Sequence, residues 1–234
     1  MLRALIHFIV RLLFGLLSRL DVQGLENIPA TGPGILAANH LGRLDSPLVF
    51  SLLERSDVTS LVADKYRNNP VLRPLVNAVN GIWINREQAD FRALRQALDF
   101  INKGGMLGIA PEGTRSRTGA LMTAKTGVAY LAGRSGVPII PAGIWGTETA
   151  IAQLCRLRRP PIHIRFGQPF QLPPLRGGDR NASLQENADE IMCHIAALLP
   201  PEYRGVYAEH AKLMEILAGQ EGALASRCPT DSST

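Results

Sequence analysis

The apolar and polar positions of this 234-residue chain fall into two regimes, a helical beginning and an alternating body. Residues 2–20, LRALIHFIVRLLFGLLSRL, are dominated by aliphatic side chains, with Arg3, His7, Arg11 and Arg19 recurring at spacings of four or eight. On a helix turning about 100° per residue, these four with Gly15 and Ser18 share an arc of roughly 160°. Leu5, Ile9, Leu12, Leu13, Leu16 and Leu20 occupy the other side, and Phe8 and Phe14 sit at its margin. The pattern predicts an amphipathic helix over residues 1–20. From residue 33 onward, short Ile- and Val-rich runs alternate with helical periods, the signature of an α/β domain with a mixed, largely parallel sheet flanked by helices. Strands are predicted over residues 34–38, 58–62, 82–85, 106–110, 138–144 and 162–166. A helix over 90–103 shows its 3.6-residue period in Phe91, Leu94, Leu98 and Ile101 and stops at Gly104-Gly105. Another is expected over 123–134, punctuated by Gly136 and Pro138. A loop from Pro173 to Gly178 precedes helices near 186–199 and 202–218. The division expected is a helix over 1–20, one domain over 21–220, and a small polar tail over 221–234 that frays.

The first helix raises the question of a membrane. A span takes about 20 mostly apolar residues, and Arg11 at its centre costs about 2.5–3.5 kcal/mol on insertion scales. A helix lying in the interface avoids that cost. There Arg3, His7, Arg11 and Arg19 meet headgroups while the Leu, Ile and Phe side, Phe14 included, enters the acyl boundary. A buried core helix and a true span or signal peptide are the alternatives. Arg11 interrupts the apolar run and no Ala-x-Ala-like site closes it, which argues against a signal peptide. The expected address is the cytoplasmic face of the cell membrane, as a peripheral or monotopic protein.

Composition narrows the partners. With 46% hydrophobic and 19% charged residues the chain is neither disordered nor a pure membrane bundle. Lys and Arg number 25 against 20 Asp and Glu, a formal charge of +5, so an anionic partner is favoured: nucleic acid, a phospholipid surface or a phosphorylated substrate. Aromatics at 6% provide no base-stacking platform, which argues against nucleic acid. Cys155, Cys193 and Cys228 form no Cys-x-x-Cys pair, and the five histidines are dispersed, so neither zinc nor another metal is expected.

Polar groups gather at the ends of predicted strands, where open α/β sheets bind ligands. The strand over 34–38 runs into Asn39-His40, and Asp45 follows five positions later across a turn containing Gly42. A carboxylate there can accept from one imidazole nitrogen and leave the other as a general base. Asp45-Ser46-Pro47 also reads as a helix start, a capping acceptor with Pro at the first turn. Arg86 ends the run Gly81-Ile82-Trp83-Ile84-Asn85-Arg86 and is suited to fork around a phosphate or to pair on the surface. Pro111-Glu112-Gly113-Thr114-Arg115-Ser116-Arg117 crowds glycine, hydroxyls and guanidiniums into one loop, either an anion cradle in which Glu112 holds a substrate hydroxyl or orients an arginine, or merely a polar turn. Lys125, just before Gly127, adds a cation or is simply solvated. Val137-Pro138-Ile139-Ile140-Pro141 places two prolines about a strand, which predicts an edge or end position. Arg156, Arg158, Arg159, Arg165, Arg176 and Arg180 extend the basic surface toward an anionic membrane or an acidic carrier protein, or are solvated.

Taken in order, Asn39-His40 with Asp45, Gly81 to Arg86, Pro111 to Ser116 and Val137 to Pro141 resemble the four motifs of the glycerolipid acyltransferase family. Lys65 and Lys125 resemble lysines common between those motifs. Trp83 and Asn85 stand where Phe and Asp are more usual, and Ala110 where Phe often precedes Pro-Glu-Gly-Thr. The resemblance implies transfer of a fatty acyl group from a thioester of CoA or acyl carrier protein to a lysophospholipid hydroxyl, most closely that of 1-acyl-sn-glycerol-3-phosphate. It implies no resident cofactor. His40 then acts as base and Asp45 orients it. Arg86, Arg115, Lys65 and Lys125, with Gly113 and Thr114, hold the acceptor, Glu112 orients its glycerol, and backbone donors near Ile140 face the oxyanion. Another lyso-lipid or glycerol-3-phosphate as acceptor, a transacylase, a thioester hydrolase and a non-catalytic lipid-binding module are the competing readings.

Overall fold

The computed structural model describes residues 2–70, 72–86, 90–173 and 180–225. Seven strands build one sheet: β1 (Arg19–Gln23), β2 (Gly34–Ala38), β3 (Val58–Ala63), β4 (Ile82–Ile84), β5 (Met106–Ile109), β6 (Ile139–Trp145) and β7 (Pro161–Phe166), in the order β1-β7-β6-β2-β5-β3-β4. Strands β6, β2, β5, β3 and β4 run parallel, β7 runs antiparallel to β6, and β1 is parallel to β7. Because alternate side chains of a strand face opposite ways, β2 divides the core. Ile35 and Ala37 join one cluster with Leu107, Ile101, Leu131 and Ile191, and Leu36 joins another with Met106, Ile140, Leu48 and Phe14. The first is covered by α4 (Phe91–Asn102), α5 (Gly127–Ser135) and α7 (Arg180–Ala196), the second by α1 (Leu2–Leu17) and α2 (Asp45–Leu52). The remaining helices are α3 (Leu72–Ala78), α6 (Thr147–Cys155) and α8 (Ala211–Ala225). The α/β class and the mostly parallel sheet are those expected from the sequence.

Several details differ from expectation, each for a physical reason. The first helix ends at Leu17, and Arg19 and Leu20 belong to β1, an edge strand whose alternation was absorbed into the helical reading. Arg19 therefore leaves the helix face altogether, and its N–H donates to Pro160 O at 2.8 Å. Phe14 is buried at 8% exposure against the sheet and α2, so it is core, not membrane contact. Arg11 pairs with Glu54 at 3.5 Å, and Ser18 is buried with its hydroxyl on Phe14 O. The side of α1 that bears Val10, Phe14 and Ser18 thus faces the protein, Arg11 lies at its exposed margin, and the outward side is Leu5, Phe8, Ile9, Leu12, Leu13, Leu16 and Leu17. The side chain of Arg3 lies outside the described residues. Pro141 sits within the central strand β6, not at an edge. Its carbonyl accepts from Gly167 N, one residue past the end of β7, so the missing N–H faces that strand end and the ladder to β2 is untouched. Residues 201–207 form two 3₁₀ turns, Pro201–Tyr203 and Gly205–Tyr207, bonded to both backbone groups of Leu121, which delays the last helix to Ala211. That helix continues to Ala225, past the expected start of the tail, and residues 226–234 with Cys228 lie outside the described residues. The expected loop ending at Gly178, with Arg176, and the side chain of Arg180 also lie mostly outside them.

Candidate active site

The C-terminal ends of the five parallel strands line one edge of the sheet, and His40 lies two residues beyond β2, near its middle. Asn39 fixes the strand end: its Nδ2 donates to Ile144 O at 2.8 Å and its Oδ1 accepts from Ile144 N at 2.7 Å. The next residue is therefore aimed by β6. His40 Nδ1 meets Asp45 Oδ2 at 2.8 Å, with side-chain exposures of 15% and 3%. The same carboxylate oxygen accepts from the N–H groups of Leu41 (2.7 Å) and Gly42 (2.8 Å), and Oδ1 accepts from the hydroxyl of Thr147. Asp45 is thus no helix cap. The cap position of α2 is Leu44, which makes no side-chain capping bond, and the carboxylate turns back toward the loop. The turn has no room for a side chain at Gly42, where a Cβ would stand 2.7 Å from Thr147 O. Four donors converge on this one buried carboxylate and hold it rigidly.

The loop after β5 grips the backbone of His40 from the other side. Glu112 Oε1 accepts from His40 N at 3.2 Å, Oε2 accepts from Met122 N at 3.3 Å, and Ser116 N donates to His40 O at 2.8 Å. Glu112 is 2% exposed, and burial pushes its carboxyl up to about 7, against the two N–H bonds and helped by the charge of Asp45. The structure thus turns Glu112 onto the chain, where it positions His40, and both its oxygens are engaged away from any glycerol. Gly113 N–H is also used internally, on Ala110 O at 3.0 Å. Its φ of 70° lets the loop turn beneath the stem of Lys125. Ile140 is fully buried mid-sheet, paired with Leu36, so it supplies no donor to this edge.

Cations flank the pair. Arg86, after β4, and Arg115, after β5, are half-buried, and Thr114 is exposed. Burial lowers the Arg86 guanidinium from its ordinary value, Tyr66 opposes this, and the charge of Arg115 adds to the lowering. Two guanidiniums close enough to repel, neither in an ion pair among the described residues, leave positive potential for a ligand. Lys125 Nζ donates to Arg86 O at 3.1 Å and links the two loops, and exposed Lys65 leans over Tyr66 at 5.2 Å beyond β3. His40, Asp45 and Glu112 are brought into contact, Arg86, Arg115 and Lys125 form a second group, and Lys65 is more peripheral. Sequence reasoning missed Thr147, which is 102 positions from its partner, and Ser116 as a backbone clamp. Among the described residues no group of three or more His, Cys, Asp or Glu is arranged to hold a metal ion.

Fold and site together define an α/β domain with a His–Asp pair at the carboxyl edge of its sheet and a cationic flank beside it. The profile of the acyltransferase family matches residues 19–145, from β1 through β6, and this chain belongs to that family. A 1-acyl-sn-glycerol-3-phosphate acyltransferase of Borreliella burgdorferi is 30% identical over 132 residues, 56% of this chain and 52% of that protein. A chloroplastic 1-acyl-sn-glycerol-3-phosphate acyltransferase of Brassica napus is 28% identical over 149 residues, 60% of this chain and 42% of that protein. The chain spans about half the length of these curated relatives. Among solved structures, the 1-acyl-sn-glycerophosphate acyltransferase PlsC of Thermotoga maritima superposes with a TM-score of 0.62 at 26% identity, covering 81% of this chain and 76% of that one.

Proposed function

We propose that this chain transfers a fatty acyl group from the thioester of CoA or acyl carrier protein to the free hydroxyl of 1-acyl-sn-glycerol-3-phosphate, giving phosphatidic acid and a free thiol. The observation that carries this reading is the 2.8 Å contact of His40 Nδ1 with Asp45. With Nδ1–H donated to the carboxylate, Nε2 holds a lone pair toward the edge of the sheet. It accepts the proton of the acceptor hydroxyl as that oxygen bonds to the thioester carbonyl carbon. When the C–S bond breaks, the departing sulfur takes the proton back from Nε2. Asp45 stabilises the imidazolium between these steps, and a base so placed is worth about 10²–10⁴-fold. Arg86 and Arg115 hold the acceptor phosphate, with Lys125 and Lys65 adding charge and Thr114 at the rim of the loop. Names of the relatives and the cationic flank favour a phosphate-bearing acceptor over a zwitterionic one.

No helix among the described residues is long and apolar enough to cross a membrane. The outward face of α1, with Leu5, Phe8, Ile9, Leu12, Leu13, Leu16 and Leu17 all at least 45% exposed, supports a peripheral protein whose first helix lies in the bilayer interface. In this reading it works on the cytoplasmic face of the cell membrane, where lipid acceptor and thioester meet. The test is thiol release by the purified protein from a long-chain acyl-CoA, with and without 1-acyl-sn-glycerol-3-phosphate, with the product identified by mass. Acceptor-dependent release that disappears in His40→Ala is expected. Undiminished release in that variant eliminates His40 as base, and release without acceptor makes the protein a hydrolase.

A further inference from the structure

Residues 156–160 join α6 to β7 at the same edge of the sheet as His40. The reversal of β7 puts them there: Trp145, the last residue of β6, pairs with His163, and Arg19 pairs with Pro161, so the start of β7 and the end of α1 both reach the catalytic edge. The loop is fastened to α1. Arg159 Nη2 donates to the carbonyls of Gly15 and Ser18, each at 2.8 Å, closing the C-terminus of that helix. Two residues before it, within about 8 Å along the chain, stands Leu157, 97% exposed with φ 55°. Asn80 is the other non-glycine residue with positive φ among those described, and asparagine tolerates that region. A leucine there crowds its Cβ against a carbonyl. It repays the fold with no burial at all. Glycine or asparagine would make the same turn with less strain, so the leucine is a local conflict resolved outside the molecule.

What surrounds it says with what. Arg156 and Arg158 on either side are exposed and make no ion pair among the described residues. Ile151 of α6 and the apolar face of α1 are exposed nearby. An apolar tip between two cations, tied through Arg159 to the end of the helix assigned above to a bilayer, matches a lipid surface: the leucine suits the acyl boundary and the arginines the anionic headgroups. We propose that Leu157, with Arg156 and Arg158, is a second insertion point in an anionic phospholipid membrane, which holds the catalytic edge against the bilayer. The proposal rests on α1 being interfacial, and its test separates the two.

Full-length protein is sedimented with vesicles of phosphatidylglycerol and phosphatidylcholine, and with phosphatidylcholine alone. Leu157→Asn and Leu157→Gly are expected to melt at or above the parent temperature yet bind mixed vesicles roughly three- to tenfold more weakly. Arg156→Gln with Arg158→Gln is expected to lose about fivefold per charge on the anionic vesicles alone, and less in high salt. Phe8→Glu in α1 is the control. If it releases the protein while Leu157→Asn binds like the parent, the second insertion point is wrong and the helix reading stands; if both bind like the parent, both fail. Unchanged vesicle binding with lost self-association, or with lost binding to an acidic acyl carrier protein, would give Leu157 to a protein contact and overturn the proposal.

Discussion

The His40–Asp45 corner and the Arg86–Arg115 flank lie on the same edge of one sheet and are built on opposite principles. At the corner both carboxylates and the backbone of His40 are fully engaged. Asp45 accepts four bonds, Glu112 two, and the backbone of His40 is held at both N–H and carbonyl. At the flank, the half-buried guanidiniums of Arg86 and Arg115 repel, and neither forms an ion pair among the described residues. The first arrangement fixes geometry in advance, as the proton transfer proposed for His40 would require. The second holds repulsion that an anionic acceptor, in the function proposed above, would relieve on binding. In that reading one region is finished by the protein, the other by its ligand.

Asp45→Asn should do the most damage, because an amide cannot accept from all the groups that surround the carboxylate and no longer stabilises imidazolium. Turnover is expected to fall about 10²–10⁴-fold, with a lower melting temperature that the flank variants do not share. Glu112→Gln probes the same corner through pH. The carboxyl of Glu112 titrates near 7 in the fold against 4.5 in the open chain. Its contribution is therefore fully favourable below about 4.5 and is lost as pH rises through 7. Urea unfolding of the parent should lose on the order of 3 kcal/mol between those limits, and Glu112→Gln should flatten that slope whatever its constant offset; equal slopes would mean that Glu112 is ionised throughout. Arg115→Ala should raise KM for the acceptor about 10- to 100-fold with a smaller change in kcat. A lyso-acceptor without phosphate should respond less, and an equal loss on both acceptors would remove Arg115 from phosphate binding. Lys125→Met should be mildest, a few-fold in KM, since Nζ meets only a carbonyl at the surface.

The flank and His40 were legible in the sequence because each follows its strand directly. His40, Arg86 and Arg115 are local consequences of a hydrophobic run that stops. Strand positions were legible for the same reason, since β2 to β7 are short Ile- and Val-rich runs bounded by Gly, Pro or polar residues. The scaffolding of the corner was not. Thr147 reaches Asp45 from the far end of β6, and nothing local distinguishes it from any threonine opening a helix. Glu112 was visible as a polar residue in a polar loop, but its inward turn depends on Met122 and His40 closing over it. Phe14 was misjudged because a helix's inner face is set by what it packs against, and α2 takes the margin of the stripe instead of its centre. Strand β1 was missed because Arg19 and Leu20 continue the spacing of the helix before it.

The pairing of the first strand with the last has a consequence for how the chain is made. Asp21 finds His163 across 142 positions, and β1 pairs with no other strand. During synthesis the amino-terminal helix and β1 emerge long before β7 exists. For most of that time the helix has neither its strand's neighbour nor the clamp from Arg159. Contacts so distant in sequence close late, so the joint between the amphipathic helix and the α/β domain is among the last parts of the molecule to form.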